Sequence, residues 1–327
     1  MPIAAFYNST GINRGSLIEN VRYLRHNTPI RPVWMRLHLT FRTARPDSSH
    51  RVDMLWQVYY LKRERSASRQ EEFIVHYQPK IDLLQNRIIL VTGAGDGIGR
   101  EAALTYARYG AHVILLGRTE SKLQTVKQQI EQEHGTTAHV VVCDMLALSS
   151  AQCFQLADEL SQVVPHLDGV LHNAGLLGEI VPVVQQTPEI WHQVMQVNVN
   201  ATFMLTQALL PLLLKSPCSS LVFTSSSVGR EGRANWGAYS VSKFATEGLM
   251  QVLADEYRSH NLRVNCINPG GTRTGMRASA FPSEDPMKLK TPADIMPLYL
   301  YLMGDDSRRK TGMSFDAQPG RKAGPAE

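Results

Sequence analysis

The sequence predicts an α/β protein: a doubly wound parallel sheet of about seven strands with helices on both faces. Three observations carry this. Between residues 87 and 315, short apolar runs alternate with longer helical stretches. The runs are continuously apolar, as strands buried on both faces require. The first run also passes through a glycine-rich turn straight into a helix, the opening of a βαβ unit, whose crossovers are right-handed.

The elements follow in order. Residues 87–91 (R-I-I-L-V) form the first strand, and 92–99 turn into an Ala-rich helix over 100–109 that Gly110 closes. A second strand over 112–116, a polar helix over 120–133 and a third strand over 139–143 come next. A helix over 150–164, a strand over 169–172 and a long helix over 188–214 continue the alternation. A strand over 220–224, a helix over 236–260 and a strand over 263–267 lead to Thr291, which caps a last helix with Pro292 at its first position. The final strand lies at 313–315.

Of the 327 residues, 43% are apolar and 19% charged, which excludes a wholly disordered or fibrous chain. The longest apolar stretch, 203–214, is broken by Thr206, Gln207 and Pro211 and falls short of the roughly 20 residues of a membrane span. Cys143, Cys153, Cys218 and Cys266 form no C-x-x-C pair. That excludes a zinc ribbon or a disulfide framework, gives no metal site, and places the protein in a reducing compartment, the cytoplasm. The net charge of +5 resides in residues 1–74, where 12 Lys and Arg face 6 Asp and Glu; beyond them the count is 22 against 23. No helical or strand period is sustained in that segment. It is expected to be a poorly ordered extension or no part of the natural chain, which would then start at Val75, leaving 75–327 as a single domain. Nucleic-acid binding through the Arg-rich segment is the weakest reading, and neither nucleic acid nor membrane is expected as a partner.

The glycine turn has the spacing T-G-x-x-x-G-x-G, with Gly93, Gly97 and Gly99. Such a turn lets the backbone approach a pyrophosphate at the helix N-terminus, and it counts as evidence only between a strand and a helix, as here. Tyr239 and Lys243, in Y-S-V-S-K, are four apart and share a helix face. An ammonium beside a phenol stabilises the phenolate and lowers its pKa from about 10. The alternative is an amphipathic helix with a surface lysine. Thirteen residues upstream, Ser226 ends a strand in T-S-S-S, and Asn198 lies in V-N-V-N. Ser225 and Ser227 compete with Ser226, which the spacing to Tyr239 favours.

Together these motifs resemble the short-chain dehydrogenase/reductase family over about residues 85–316, and segments 195–214 and 286–318 further resemble a group of enterobacterial oxidoreductases of unassigned substrate. The resemblance implies a Rossmann-type fold and the catalytic set Ser226, Tyr239, Lys243 and Asn198. Tyr239 would be the general acid/base, and Lys243 would bind the nicotinamide ribose and tune it. Ser226 would hold the substrate oxygen, and Asn198 would organise a relay water. Gly93, Gly97, Ile98 and Gly99 would form the pyrophosphate turn. Asp144 would meet the adenine amino group, although an Asp after a strand is also a helix cap. Asn173, in H-N-A-G, follows the fourth strand where relatives have N-N-A-G, with His172 in place of the first Asn. Pro269, Gly270 and Thr274 would cover the nicotinamide, with Ile267 against the ring.

The second strand ends L-G-R-T, so Gly117 stands where a carboxylate would bind the ribose hydroxyls of NAD, and Arg118 follows. A guanidinium there suits the extra phosphate of NADP, which is the expected cofactor in preference to NAD. The alternative is an Arg118 that ends the strand in water, and Asp96 stands in the glycine turn where some NADP-preferring relatives carry a base. The function expected is NADP(H)-dependent hydride transfer between nicotinamide and a carbonyl or secondary alcohol. The alternative is an NADP-binding regulator without turnover. Leu176, Leu177, Trp236, Met276 and Phe281 would wall a partly apolar pocket that residues 275–290 close, while Arg277 either meets a substrate carboxylate or faces solvent. Family likeness also implies a homodimer or homotetramer through the helices bearing Asn198 and Tyr239.

Overall fold

The structure, a computed structural model, describes residues 77–325. The expectations for residues 1–74 and for a start at Val75 lie outside the described residues.

Seven parallel strands form one sheet: β1 (Ile88–Thr92), β2 (His112–Gly117), β3 (Ala138–Val142), β4 (Gly169–His172), β5 (Ser219–Thr224), β6 (Leu262–Asn268) and β7 (Met313–Asp316). Their order is β3-β2-β1-β4-β5-β6-β7. The direction of winding reverses between β1 and β4, which pair through Ile89↔Gly169, Leu90↔Val170 and Val91↔Leu171. At such a reversal the flanking connections leave to opposite faces and open a crevice at the carboxyl ends of the strands. Ile89, Leu90 and Val91 have no exposed surface, which is why an unbroken apolar run sits here. Burying each such side chain stabilises the fold by about 1.5–3 kcal/mol.

The helices cover both faces: α1 (Gly97–Arg108), α2 (Glu120–His134), α3 (Ser150–Val163), α4 (Pro188–Met195), α5 (Ala201–Leu214), α6 (Gly237–Glu256), α7 (Gly275–Ala280) and α8 (Met296–Met303). Ser149 and Gln152 form a reciprocal capping box at the start of α3, and Gly135, at φ 65°, ends α2.

Three elements differ from the expectation. The long helix over 188–214 contains a single π turn, Gln196–Asn200, and such insertions recur where a side chain must be redirected at a functional site. The last helix begins as a 3-10 turn, Ala293–Ile295, after a reciprocal Thr291–Asp294 cap, and becomes α-helical at Met296. The segment after Thr274 contains α7, which the sequence did not announce. The run Pro188–Leu214 is long and apolar enough to cross a membrane by length and composition, at a mean hydropathy of 1.4, but 56% of its most apolar window is buried inside this domain. It is placed as a core helix.

Candidate active site

The crevice is a cleft of about 600 Å³. Its lining includes Gly93, Gly97, Ile98, Arg118, Asp144, Asn173, Ser226, Tyr239, Lys243, Pro269, Gly270 and Thr274. Of the predicted catalytic and glycine-turn residues, Gly99 and Asn198 stand behind this surface, both buried.

The glycine turn is shaped by contact as well as by conformation. Gly93 (φ 68°) and Gly97 (φ 54°) occupy the left-handed region that side chains resist. A Cβ on Gly99 would strike the Gly93 carbonyl and the Asn173 amide nitrogen. The Thr92 hydroxyl accepts the backbone N–H groups of Asn173 and Ala174, each at 3.0 Å, and so ties the end of β1 to the loop after β4. The first turn of α1 is thereby left open toward the cleft, where its N–H groups suit an anion. Asp96 caps α1 by accepting from Gly97 N at 2.8 Å, and its other oxygen pairs with Lys122 Nζ at 2.5 Å. The carboxylate that stood against an NADP-type site is therefore neutralised by a lysine from α2, a partner no spacing in the sequence marks. Gly117 lies where a Cβ would come within 3.2 Å of Leu123. Asp144 caps its own turn by accepting from Leu146 N at 3.0 Å while it lines the cleft.

Pro269 and Gly270 follow β6. Gln318 Nε2 donates to the Pro269 and Gly271 carbonyls at 2.8 and 3.0 Å and fixes the loop from the C-terminal side. Thr274 caps α7 by accepting from Arg277 N at 3.1 Å. Ile267, expected against the nicotinamide ring, is instead wholly buried in the core beneath the cleft, because β6 points it into the helix layer.

Tyr239 and Lys243 lie one turn apart on α6, and Ser226 lies just past the end of β5. The Ser226 hydroxyl lies near enough to that of Tyr239 to favour its ionised form, which separates Ser226 from Ser225, whose Oγ is buried with no partner among the described residues. Lys243 Nζ sits 5.4 Å from the centre of the Tyr239 ring and donates to the Thr224 carbonyl at 2.7 Å. Burial presses its pKa down to about 8, and burial raises that of Tyr239 to about 12 against the opposing pull of the Ser226 hydroxyl. In place of the expected lowering, burial holds the phenol pKa above its ordinary value. Tyr239 is held protonated, in the form that can give a proton away.

Asn198 sits in the π turn, 4% exposed. Its Oδ1 accepts from Leu176 N at 2.7 Å, and its Nδ2 donates to the Leu176 carbonyl and to Ser242 Oγ, both at 2.9 Å. Both amide donors are spent on protein. Rather than organising a water through those donors, the side chain staples the loop after β4 to the helix that carries Tyr239. His172, in place of an Asn, is also structural: it is buried, bonds Thr206 Oγ1 at 2.9 Å and stacks on Phe223 at 5.1 Å.

Beyond Tyr239 the cleft is walled by Leu176, Leu177, Trp236, Met276 and Ala280. Met276 Sδ lies 4.0 Å from the Tyr239 hydroxyl. Phe281 stands outside this lining, its ring tilted 40° against that of Trp236 at 5.7 Å. Arg277 takes neither expected course; it forms a bidentate pair with buried Glu284, at 2.6 Å through each nitrogen.

The profile of the short chain dehydrogenases matches residues 87–285, which contain both the glycine turn and the Ser-Tyr-Lys cluster. The chain belongs to the short-chain dehydrogenase/reductase family. The oxidoreductase YciK of Escherichia coli K12 is 73% identical over 250 residues, covering 76% of this chain and 99% of the relative. A short-chain dehydrogenase from Escherichia coli CFT073, solved as a complex with NADPH, is 73% identical with a TM-score of 0.73, over 74% of this chain and all of that one. Another from Shigella flexneri, solved with NADP, is 72% identical with a TM-score of 0.72, over 73% of this chain and all of that one. The protein is accordingly an oxidoreductase of this family, with its fold.

Proposed function

We propose that the protein is an NADP(H)-dependent oxidoreductase that moves hydride between nicotinamide and a carbonyl carbon or the corresponding secondary alcohol. The observation that carries this reading is the convergence of Ser226, Tyr239 and Lys243 on one cleft with the glycine turn.

The residues fit a dinucleotide phosphate. Gly93 and Gly97 line the cleft in a conformation that side chains resist, and Gly99 packs against the Gly93 carbonyl with no room for a Cβ. Ile98 belongs to the same turn, and Arg118 and Lys122 bring cationic side chains to the cleft beyond it. Asp144 and Asn173 would hold the adenosine side, and Pro269, Gly270 and Thr274 the nicotinamide side. When bound, the cofactor supplies or takes up the hydride. In the reductive direction Ser226 holds the carbonyl oxygen and Tyr239 gives it the proton that balances the arriving hydride. Lys243, still an ammonium at neutral pH with a pKa of about 8, stabilises the phenolate left behind. Asn198 positions α6 and the Leu176 backbone for that transfer.

NADPH deuterated at nicotinamide C4 tests the reading. Deuterium should appear on the carbinol carbon of the product alcohol; binding of NADPH without transfer to any carbonyl would favour a regulator instead. A homo-oligomer through α5 and α6 is part of the proposal, supported by the exposed Phe203, Phe244 and Val252 on those helices.

A further inference from the structure

Ser226 leads into a 3-10 turn, Ser227–Gly229, which ends at Arg230. This turn lies directly on α6. A Cβ on Gly229 would come within 2.8 Å of Lys243 Cβ, and Ser240 Oγ donates to the Val228 carbonyl at 2.6 Å. A shift of the turn therefore moves Ser226 against both Tyr239 and Lys243.

Arg230 fixes the turn from its other end, although it lies outside the cleft lining. Its Nη1 spans the two carboxylate oxygens of Asp316 at 3.0 and 3.1 Å. Nε and Nη2 both donate to Ser314 Oγ, at 3.0 and 2.7 Å, and Nη2 also reaches the Phe315 carbonyl at 3.4 Å. Every nitrogen of the guanidinium is thus engaged by β7, a planar fork that a lysine ammonium cannot reproduce. From β7 the hold passes in two directions. Ser314 Oγ donates to Glu247 Oε1 at 2.7 Å, and Glu247 stands one turn after Lys243 on α6, its side chain 9% exposed. Asp316 Oδ1 accepts from Asn268 Nδ2 at 2.7 Å, and Asn268 Oδ1 in turn accepts the backbone N–H of Gly270 at 3.1 Å. Gly270 and Pro269 line the cleft.

We propose that Arg230 is a positioning residue: its fork holds the turn after Ser226, helix α6 and the loop at Pro269 and Gly270 in one frame, so that the substrate oxygen, the proton donor and the nicotinamide meet at reacting distance. The effect on turnover rests on the hydride-transfer reading; the hold on the loop after β6 does not.

Arg87→Gln supplies the comparison, because Arg87 ties the start of β1 to Asp305 at the end of the sheet opposite the cleft. The full chain is used with NADPH and, in parallel, hexanal, cyclohexanone and ethyl 3-oxobutanoate, at a temperature where circular dichroism shows every variant folded. Arg230→Gln should lower the single-turnover rate by about ten- to a hundredfold, the scale of a misplacement of up to about 1 Å. Arg87→Gln should lower the thermal midpoint and leave that rate unchanged. An unchanged rate in Arg230→Gln, or an equal loss in both variants, would overturn the proposal. Arg230→Lys keeps the charge but cannot serve Asp316 and Ser314 together, so it should lose rate in the same way and serves if the glutamine variant fails to fold. The nicotinamide fluorescence of bound NADPH reads the loop without turnover. Weaker emission in Arg230→Gln than in wild type and Arg87→Gln would support the hold on the loop even where the wild type reduces none of the three carbonyls, an outcome that counts against the hydride-transfer reading alone. Equal emission from all three proteins, in a wild type without turnover, would overturn the proposal.

Discussion

Gln186 Oε1 accepts the backbone N–H of Ala238 at 2.9 Å, the residue just before Tyr239. Trp236, the residue preceding α6, makes no side-chain cap, so a glutamine from the loop ahead of α4 supplies the acceptor that the helix N-terminus lacks. Gly237 permits the approach, since a Cβ there would collide with the same oxygen. Gln186→Leu should cost about 1 kcal/mol of stability, the usual value of a lost N-cap, and lower kcat more than it raises KM for the carbonyl. Gln186→Glu keeps the acceptor and should restore both; thermal denaturation and steady-state kinetics read the outcome.

Lys243 carries a buried charge whose cost can be read from pH. Its pKa falls from the ordinary 10.5 to about 8 on folding. Between those values the unfolded chain holds the proton that the folded chain has lost, so stability rises with pH across this window. Below pH 8 both states are protonated and the full penalty is present. Relative to Lys243→Met, the wild type should gain up to about 3 kcal/mol as the pH rises from 8 to 10.5. Urea titrations of the two proteins at several pH values measure the difference.

His172 should produce a slope in acid. Burial holds its pKa at about 3, and Nδ1 has no partner among the described residues. From pH 6.5 downward the unfolded chain takes up a proton that the folded chain refuses, so stability falls as the pH falls, by about 1.4 kcal/mol per unit. His172→Asn, which removes the titrating ring, should flatten that slope in urea denaturation between pH 6.5 and 5. Equal slopes in the two proteins would mean that the ring is not held neutral.

Most of the fold was legible because burial on both faces leaves a plain trace: residues 88–91, 170–171 and 221–223 are continuously apolar because helices cover both sides of the sheet. The cluster of Ser226, Tyr239 and Lys243 was legible because helix periodicity fixes Tyr239 against Lys243 and a strand end presents Ser226. What the sequence did not disclose depends on contacts distant along the chain. Lys122 opposite Asp96 and Gln186 on α6 each join residues whose spacing has no period. The inward turn of Asn198 requires a π insertion that leaves no mark in the hydrophobic pattern. Ile267 was misplaced because a strand end alone does not say which face its last side chain takes.

Cofactor choice should respond to both cations beyond the glycine turn. Arg118→Ala and Lys122→Ala should each raise KM for NADPH by about tenfold, the scale of one charge-assisted contact, and leave KM for NADH nearly unchanged. Lys122→Ala should have the added effect of leaving Asp96 unpaired, so its penalty should diminish in Asp96→Asn/Lys122→Ala. Initial rates with each cofactor, at fixed carbonyl substrate, decide this.

The most direct measurement compares wild type with Tyr239→Phe for NADPH affinity and for the single-turnover rate of carbonyl reduction. The phenylalanine keeps the ring beside Lys243 and removes only the hydroxyl that faces Ser226. The account predicts unchanged NADPH affinity and a rate lower by about 10²–10⁴, the usual worth of a positioned general acid. A variant that reduces the carbonyl at the wild-type rate would contradict it.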